Sequence, residues 1–379
     1  MTAQPPQQPQ ARHYRKKRST LASIAAEIGV SRTTVSNAYN HPDELSEQLR
    51  QRIFATAERL GYTGPDPMAR GLRKNSSGAV GVLFTELLQF AYADPATVEF
   101  MAGLAEEIGS YGESMLVIPA SSTGQTDTTM GMIDRALVDS FVAYSVAQRD
   151  PYLHRVLERG LPTVICDQPT NYSEVPFVGI DDREAIKPAV RHLLELGHRK
   201  IGVLCVRLSR QPNDGPVNWR DLQQAQHHVQ KSRVEGVLEE LAEWGIGASD
   251  PDGHWPAVPI VQRHINDPQH NYDSVVELFD AHPDLTAVVC TTDTLALAVL
   301  RYAAERGISV PEELSVTGFD GIELARMQQL TTVIQPNREK GRAVGVALRE
   351  AAKGHSSPTR TILPTTFRIG ASTAPPKRA

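Results

Sequence analysis

From residue 80 onward the chain alternates short apolar runs with longer amphipathic stretches. "VGVLF" is followed by a helical pattern near 96–109, "SMLVIP" by one near 127–136, "SFVAY" by one near 150–159, and "PTVIC" completes the series. Short β-type runs separated by 3.6-residue periodicity specify a parallel sheet with helices on its faces. A second series opens at "FVGID" and passes through a helix at 182–196, "KIGVLC", a helix at 231–243, "VPIV", a helix at 272–281, "TAVVC", a helix at 293–306 and "LSVTGF". Two series predict two similar α/β lobes. Ligands of such sheets bind outside the carboxyl ends of the strands, which between two lobes means the cleft.

The first seventy residues carry a different period. Leu21, Ile24, Ala25 and Ile28 follow helical spacing after the capping candidates Ser19 and Thr20, and Gly29-Val30 breaks the run as a tight turn. A second helix begins at Ser31, with Val35 and Ala38 facing inward and Ser31, Arg32, Thr33, Thr34, Ser36 and Asn37 on the other side. A third runs from Ser46 with Leu49, Ile53, Ala57 and Leu60 as its stripe, and Gly61 closes it. Three short helices with a glycine turn between the first two predict an all-α helix-turn-helix headpiece. In such a bundle the second helix enters the major groove by its N-terminal residues, where hydroxyl, amide and guanidinium groups reach base edges and phosphates. The competing reading is a structural bundle whose Ser and Thr only cap a helix.

Charge favours the first reading. Residues 1–75 hold 12 Lys/Arg against 6 Asp/Glu, a net +6, although the whole chain carries −5. The front end is therefore the polyanion-facing end. Residues 1–18 are Gln/Pro-rich and finish in "RHYRKKR", a disordered tail that is either a non-specific DNA arm or simply solvated. No apolar stretch forms a signal peptide or membrane span, so a cytoplasmic, nucleoid-associated protein without membrane partners is expected. The three cysteines, Cys166, Cys205 and Cys290, each end an apolar run and read as small buried hydrophobes in a reducing compartment.

Between headpiece and lobes, Asp66 to Leu72 starts with an N-cap aspartate and Pro67 and carries Met68 and Leu72 four apart. It is too short to be a stable helix alone and needs a surface to fold against.

Residues 20–72, "TLASIAAEIGVSRTTVSNAYN", "LSEQLRQRIFATAERLGY" and a Pro-containing hinge with "MARGL", resemble the headpiece of the lactose/galactose repressor (LacI/GalR) family. The resemblance continues through "VGIDDREAIKPAVRHLLELGHRKIGVL", "TAVVCTTDTLALAVLRYAAERGISVPEELSVTGFDGIELA" and "LTTVIQP", and covers nearly the whole chain from Thr20 to Gly370. It implies a hinge helix pairing with a second subunit's over a palindromic operator, Leu72 wedged into the minor groove and Ala69 as the small residue of the paired hinges. It implies base reading by Arg32 and Thr33, with Thr20, Ser31, Thr34, Ser36 and Asn40 mostly on phosphates. Asn37 departs from the arginine many members carry and suits adenine or a phosphate. The hinge also has one extra residue, Gly64-Pro65 standing before Asp66.

For the lobes, the resemblance implies a periplasmic-binding-protein-like effector domain in which the chain crosses between lobes three times. Arg233 in "RVEG" corresponds to an arginine that forks onto sugar hydroxyls or a carboxylate, and Asp293 in "TTDTLAL" to an aspartate accepting hydroxyl hydrogen bonds. The bland readings are a surface arginine and a helix N-cap. Asp94-Pro95-Ala96-Thr97 replaces an expected aromatic platform, which gives Asp94 a hydrogen-bonding role and points away from a purine-like ligand. Asp167, and Thr85 with Glu86, end strands and either line the pocket or are solvated. Residues 207–230 are longer than the family's usual connection; Trp219, with His227 and His228 nearby, either stacks on a sugar or anchors an exposed polar insertion.

The expected boundaries are a basic tail at 1–18, the headpiece at 19–63, a hinge at 64–77 and the effector domain at 78–370, with a tail at 371–379. Lobe 1 is expected at about 78–175 and 337–356, and lobe 2 at about 176–334 and 360–370. No G-x-G-x-x-G follows a strand, and Walker, H-E-x-x-H and G-x-S-x-G motifs are absent, so catalysis, cofactors and metals are not expected. The reading is a homodimeric transcriptional repressor modulated by a sugar-like effector. The rivals are a DNA-binding regulator without an effector and a plain solute-binding protein. A tail without heptads predicts a dimer rather than a coiled-coil tetramer.

Overall fold

The computed structural model describes residues 19–62, 64, 76–84, 89, 92–119, 126–246, 258–354 and 358–377, and the chain divides into two compact units, Met1–Ser77 and Gly78–Ala379. The expected hinge residues Ala69 and Leu72, and the pocket candidate Thr85, lie outside the described residues.

The first unit holds α1 (Leu21–Ile28), α2 (Arg32–Asn40) and α3 (Glu47–Arg59). Each start is set by a capping hydroxyl: Thr20 receives the amide of Ser23, Ser31 that of Thr34 and Ser46 that of Leu49. Gly29 ends α1 at φ +73°, a left-handed C-cap in which glycine is favoured. Ile24, Val35 and Ile53, one from each helix, are fully buried with Ala25, Ala38 and Ala57 around them. At about 1.5–3 kcal/mol for each large aliphatic side chain, this small core is what folds the bundle.

The second unit contains two sheets. The first is built from β1 (Ala79–Phe84), α4 (Pro95–Gly109), β2 (Ser114–Pro119), α5 (Thr126–Arg135), β3 (Ser140–Tyr144), α6 (Pro151–Glu158), β4 (Thr163–Cys166) and β5 (Phe177–Gly179). The second takes α7 (Asp182–Leu196), β6 (Ile201–Val206), β7 (Gly215–Pro216), α8 (Trp219–Gln223), α9 (His228–Glu243), β8 (Ile260–Arg263), α10 (Pro268–Ala281), β9 (Ala287–Cys290), α11 (Asp293–Arg306), β10 (Ser315–Asp320), α12 (Glu323–Met327) and β11 (Thr331–Ile334). The chain then returns with α13 (Asn337–Ala352) and β12 (Arg360–Ile362), and ends with β13 (Thr366–Arg368). The sheet orders are β12-β5-β4-β3-β1-β2, all parallel, and β13-β11-β10-β9-β6-β8-β7, parallel except for its two edge strands.

Burial on both faces explains the unbroken apolar runs. Val80, Val82 and Phe84 pack towards α4 and α13, whereas Leu83, Phe141 and Ala143 pack towards α5 and α6. In the second sheet Val203 and Cys205 meet α7 and α9, and Leu204 and Val288 meet α10 and α11. Helices α4 and α13 touch backbone to backbone: a Cβ on Gly103 would collide with the carbonyl of Arg338, and one on Gly341 with that of Phe100. The chain passes between the sheets three times, after β5, after β11 and between β12 and β13.

Three expectations need correction. Phe177–Gly179 and Arg360–Ile362 pair with one another in the first sheet, not the second, since a three-residue strand has no period of its own and takes the sheet its hydrogen bonds reach. Residues 371–377 are not a free tail: Ser372 is buried, donating to Val316 O (2.6 Å) and accepting from Thr331 N (2.9 Å). Segment 207–230 is no exposed insertion either. Its Val217, Leu222 and Ala225 are core residues, β7 pairs along β8, and Trp219 packs against this core instead of the cleft. No helix among the described residues is long and apolar enough to cross a membrane.

Candidate functional site

In the headpiece, α2 presents Ser31, Arg32 and Thr33 exposed, with Thr34, Ser36, Asn37 and Asn40 half-buried beside them. Thr20 is exposed at the start of α1 and closes a capping box with Ser23, whose Oγ accepts from Thr20 N at 2.8 Å. Ser31 Oγ and Thr34 Oγ1 are 2.8 Å apart, and Asn40 Nδ2 donates back to Ser36 O at 2.9 Å. Asn37 Nδ2 donates one hydrogen bond to Glu44 Oε2 at 2.7 Å.

In the second unit the carboxyl ends of both sheets converge on a cleft enclosing about 820 Å³ of non-atom space, partly open to solvent. Asp94 caps α4, accepting from Thr97 N (3.2 Å) and Thr97 Oγ1 (2.6 Å), and Asp167 follows β4. Both line the cleft, as does Arg233 of α9. Backbone strain concentrates here. Ser145, Asp167, Arg207 and Asp320 all adopt positive φ (53°, 65°, 34° and 121°), and all four line the cleft.

A chain of buried charges crosses from lobe to lobe through this wall. Lys340 Nζ of α13 donates to both carboxylate oxygens of Asp167 (3.0 and 2.9 Å) and to Gln335 Oε1 at 2.8 Å. Gln335 Nε2 donates to Asp320 Oδ1 at 2.6 Å, and Arg233 Nη1 stands 3.5 Å from the same oxygen. Arg233 Nε donates to Asp182 Oδ1 at 2.8 Å, Nη1 to Thr291 O at 2.7 Å, and the guanidinium lies 3.7 Å from the Phe319 ring centre. Burial works against the charge of Lys340, but Asp167 outweighs it and holds the amine above its ordinary value. Burial pushes the Asp320 carboxyl well up, with Arg233 opposing, and the Asp182 carboxyl up to about 6. Arg233 is thus no surface arginine: it is buried, lines the cleft, and already has carboxylate partners there.

Asp293 is corrected more strongly. It is fully buried, does not line the cleft, and is not the cap of its helix, which is Thr292. Its Oδ1 accepts from Thr332 Oγ1 (2.6 Å) and its Oδ2 from Ile322 N (2.9 Å), tying α11 to the ends of β10 and β11. The carboxylate sits over Gly318, where any Cβ would strike it. Burial pushes this carboxyl up to about 7.

Thr292, Asp320, Gln335, Lys340 and Gln168 also line the cleft, with no ligand role expected of them from the sequence, and His227, near the Trp219 expected to stack on a sugar, lines it although Trp219 does not. Asp320 ends a strand, which is a usable signal; Asp167 and Lys340 meet across 173 residues, which no local pattern reveals. Among the described residues no cluster of His, Cys, Asp and Glu is arranged to hold a metal, and the three cysteines are free and buried.

Comparison with known proteins agrees with this division. Residues 20–64 match the model for bacterial regulatory proteins of the lacI family, and residues 190–373 match a periplasmic binding protein-like domain. The chain is 48% identical to the HTH-type transcriptional regulator IpsA of Corynebacterium glutamicum, over 94% of this chain and 98% of that protein. A crystal structure of a LacI-family transcriptional regulator from Corynebacterium glutamicum is 43% identical and superposes with TM-score 0.72, covering 95% of this chain and all of that one. A complex of the regulator CelR with cellobiose is 25% identical, with TM-score 0.66 over 94% of this chain and all of that one. These relatives are regulators rather than enzymes, and the chain belongs to the lacI family of bacterial regulatory proteins: it is a DNA-binding transcriptional regulator whose second unit is an effector-binding domain.

Proposed function

We propose that the protein acts in the cytoplasm as a homodimeric repressor on a palindromic operator, and that an uncharged, sugar-like effector in the cleft alters its operator affinity. A nine-residue α2 reaches only a few base pairs, so a second copy one helical turn away supplies the rest of the recognition. Arg32 and Thr33 read bases, while Thr20, Ser31, Thr34, Ser36 and Asn40 hold phosphates. Leu72 serves as the minor-groove wedge and Ala69 as the close contact of paired hinges.

The single observation that carries the effector class is the cleft's composition. Its acidic side chains, Asp94, Asp167 and Asp320, are matched by Arg207, Arg233 and Lys340, and amides and hydroxyls fill the spaces between. Balanced charge with many donors and acceptors suits a neutral polyhydroxylated compound. The rings present, Phe84 and Tyr144, pack on each other at 5.2 Å, and Phe100 stacks on Tyr144 at 4.1 Å, which leaves little platform for a purine.

Thermal unfolding with D-glucose, D-ribose, cellobiose, sorbitol and adenosine tests this. A sugar or polyol at a hundred times its Kd adds about 2.7 kcal/mol to the effector unit. Stabilisation by adenosine alone overturns the ligand class. Stabilisation by none supports a second reading, a regulator without effector, which the internal pairing of Arg233 and Lys340 favours. Sedimentation of the full chain checks the dimer, and a monomer at micromolar concentration contradicts it.

A further inference from the structure

Gln168 follows β4 in the first lobe and His227 precedes α9 in the second, and the two side chains meet in the cleft wall. The orientation of the Gln168 amide is set by a partner that can only donate: Val229 N–H gives its hydrogen to Oε1 at 2.9 Å. The other end must then be nitrogen. It donates to Ser145 O at 3.0 Å, lies 3.2 Å from Ser145 Oγ, and lies 2.9 Å from His227 Nδ1. An amide nitrogen has hydrogens and no lone pair to offer, so Nδ1 accepts and carries no proton.

Burial holds His227 well below its ordinary pKa, and Arg207, His264 and Arg210 push the same way, so the ring is neutral. Its one proton is on Nε2. That nitrogen is buried and has no hydrogen-bond partner among the described residues, although His227 lines the cleft. A buried N–H without an acceptor is destabilising, so the wall is incomplete at this point.

We propose that His227 is the cleft's fixed hydrogen-bond donor: Gln168 locks the proton on Nε2, and Nε2–H donates to an oxygen of the bound effector, a hydroxyl, ring or carbonyl oxygen. Because one lobe supplies Gln168 and the other His227, the donor is set only while the lobes keep this spacing. His227 is then a ligand-contacting residue and Gln168 a positioning residue. The donation step rests on the effector reading above; the proton's location does not.

Two-bond ¹H–¹⁵N correlation spectra of the histidine-labelled full chain decide the proton's place, with His227→Gln identifying the signal. The expected pattern is a protonated Nε2 and an unprotonated Nδ1. In Gln168→Glu the carboxylate can only accept, so Nδ1 gains a proton. An Nδ1–H ring in the wild type, or an unchanged ring in Gln168→Glu, overturns the lock. The donation step is read with whichever of D-glucose, D-ribose, cellobiose and sorbitol stabilises the wild type most. His227→Phe should bind it about tenfold more weakly, and His227→Gln, which keeps a terminal N–H, within about threefold of wild type. Equal binding by His227→Phe overturns the donor role. If no probe stabilises the wild type, the effector reading falls and the donation step with it, while the spectra still judge the lock.

Discussion

Arg32 and Thr33 stand exposed at the start of α2, whereas Arg233 and Lys340 are buried in the cleft wall and already bonded to carboxylates, amides and carbonyls of their own chain. The headpiece separates folding from recognition. Its core is a handful of aliphatic residues, and the groups proposed to meet DNA lie outside it. The cleft does not separate them, because the side chains that face a ligand also join the lobes. Substitutions in the first region should alter function at little cost in stability; in the second the two losses should come together.

Arg233→Ala is the largest expected effect. It leaves Asp182 and Asp320 buried without their cation, and calorimetry should show the effector unit destabilised by about 3–5 kcal/mol. If ligand response disappears while stability falls by less than about 1 kcal/mol, Arg233 serves the ligand alone and the contrast between the regions is broken. Ile53→Ala removes a fully buried anchor of the headpiece. It should cost about 3 kcal/mol there, abolish DNA binding, and leave the effector unit's unfolding and ligand response intact.

The effect of Asp293 is a slope. Its carboxyl is raised to about 7, so the folded chain holds a proton that the unfolded chain releases. Its contribution to stability therefore declines as pH rises from about 4 to about 7 and is level above, with a steepness of at most about 1.4 kcal/mol per pH unit. Asp293→Asn should flatten the stability of the effector unit over that window relative to wild type. An identical pH profile would place the proton elsewhere. Ser31→Ala removes the α2 cap and should cost the headpiece about 1 kcal/mol. Arg32→Ala should change stability by less than about 0.5 kcal/mol, yet relax base preference at one symmetric pair of operator positions.

What the sequence made readable follows the same contrast. The headpiece was legible because its contacts lie within one short segment whose caps, turn glycine and apolar spacing are all local. The lobes were legible as alternation, since the central strands are apolar on both faces, but their borders were not. Phe177–Gly179 and Arg360–Ile362 are too short to declare a sheet, and only their mutual pairing assigns them. For Asp293, which stands between a strand and a helix, the ligand role is what the family resemblance of "TTDTLAL" implies. Whether such a side chain turns into the cleft or behind it depends on Gly318, a β10 residue that leaves room for the carboxylate. Segment 207–230 looked like a polar insertion because its anchors, Val217, Leu222 and Ala225, are spaced too irregularly to show a face. The pairing of Gln168 with His227 spans 59 residues and two lobes, and no local spacing announces it.

The most direct test of the contrast is capture of genomic fragments by the full-length wild type and by Arg32→Ala, sequenced side by side. The account predicts that wild-type fragments share an inverted repeat with half-sites about one helical turn apart, and that the variant captures the same repeat with one symmetric pair of positions degenerate. Fragments without a shared repeat, or an identical motif from both proteins, would contradict it.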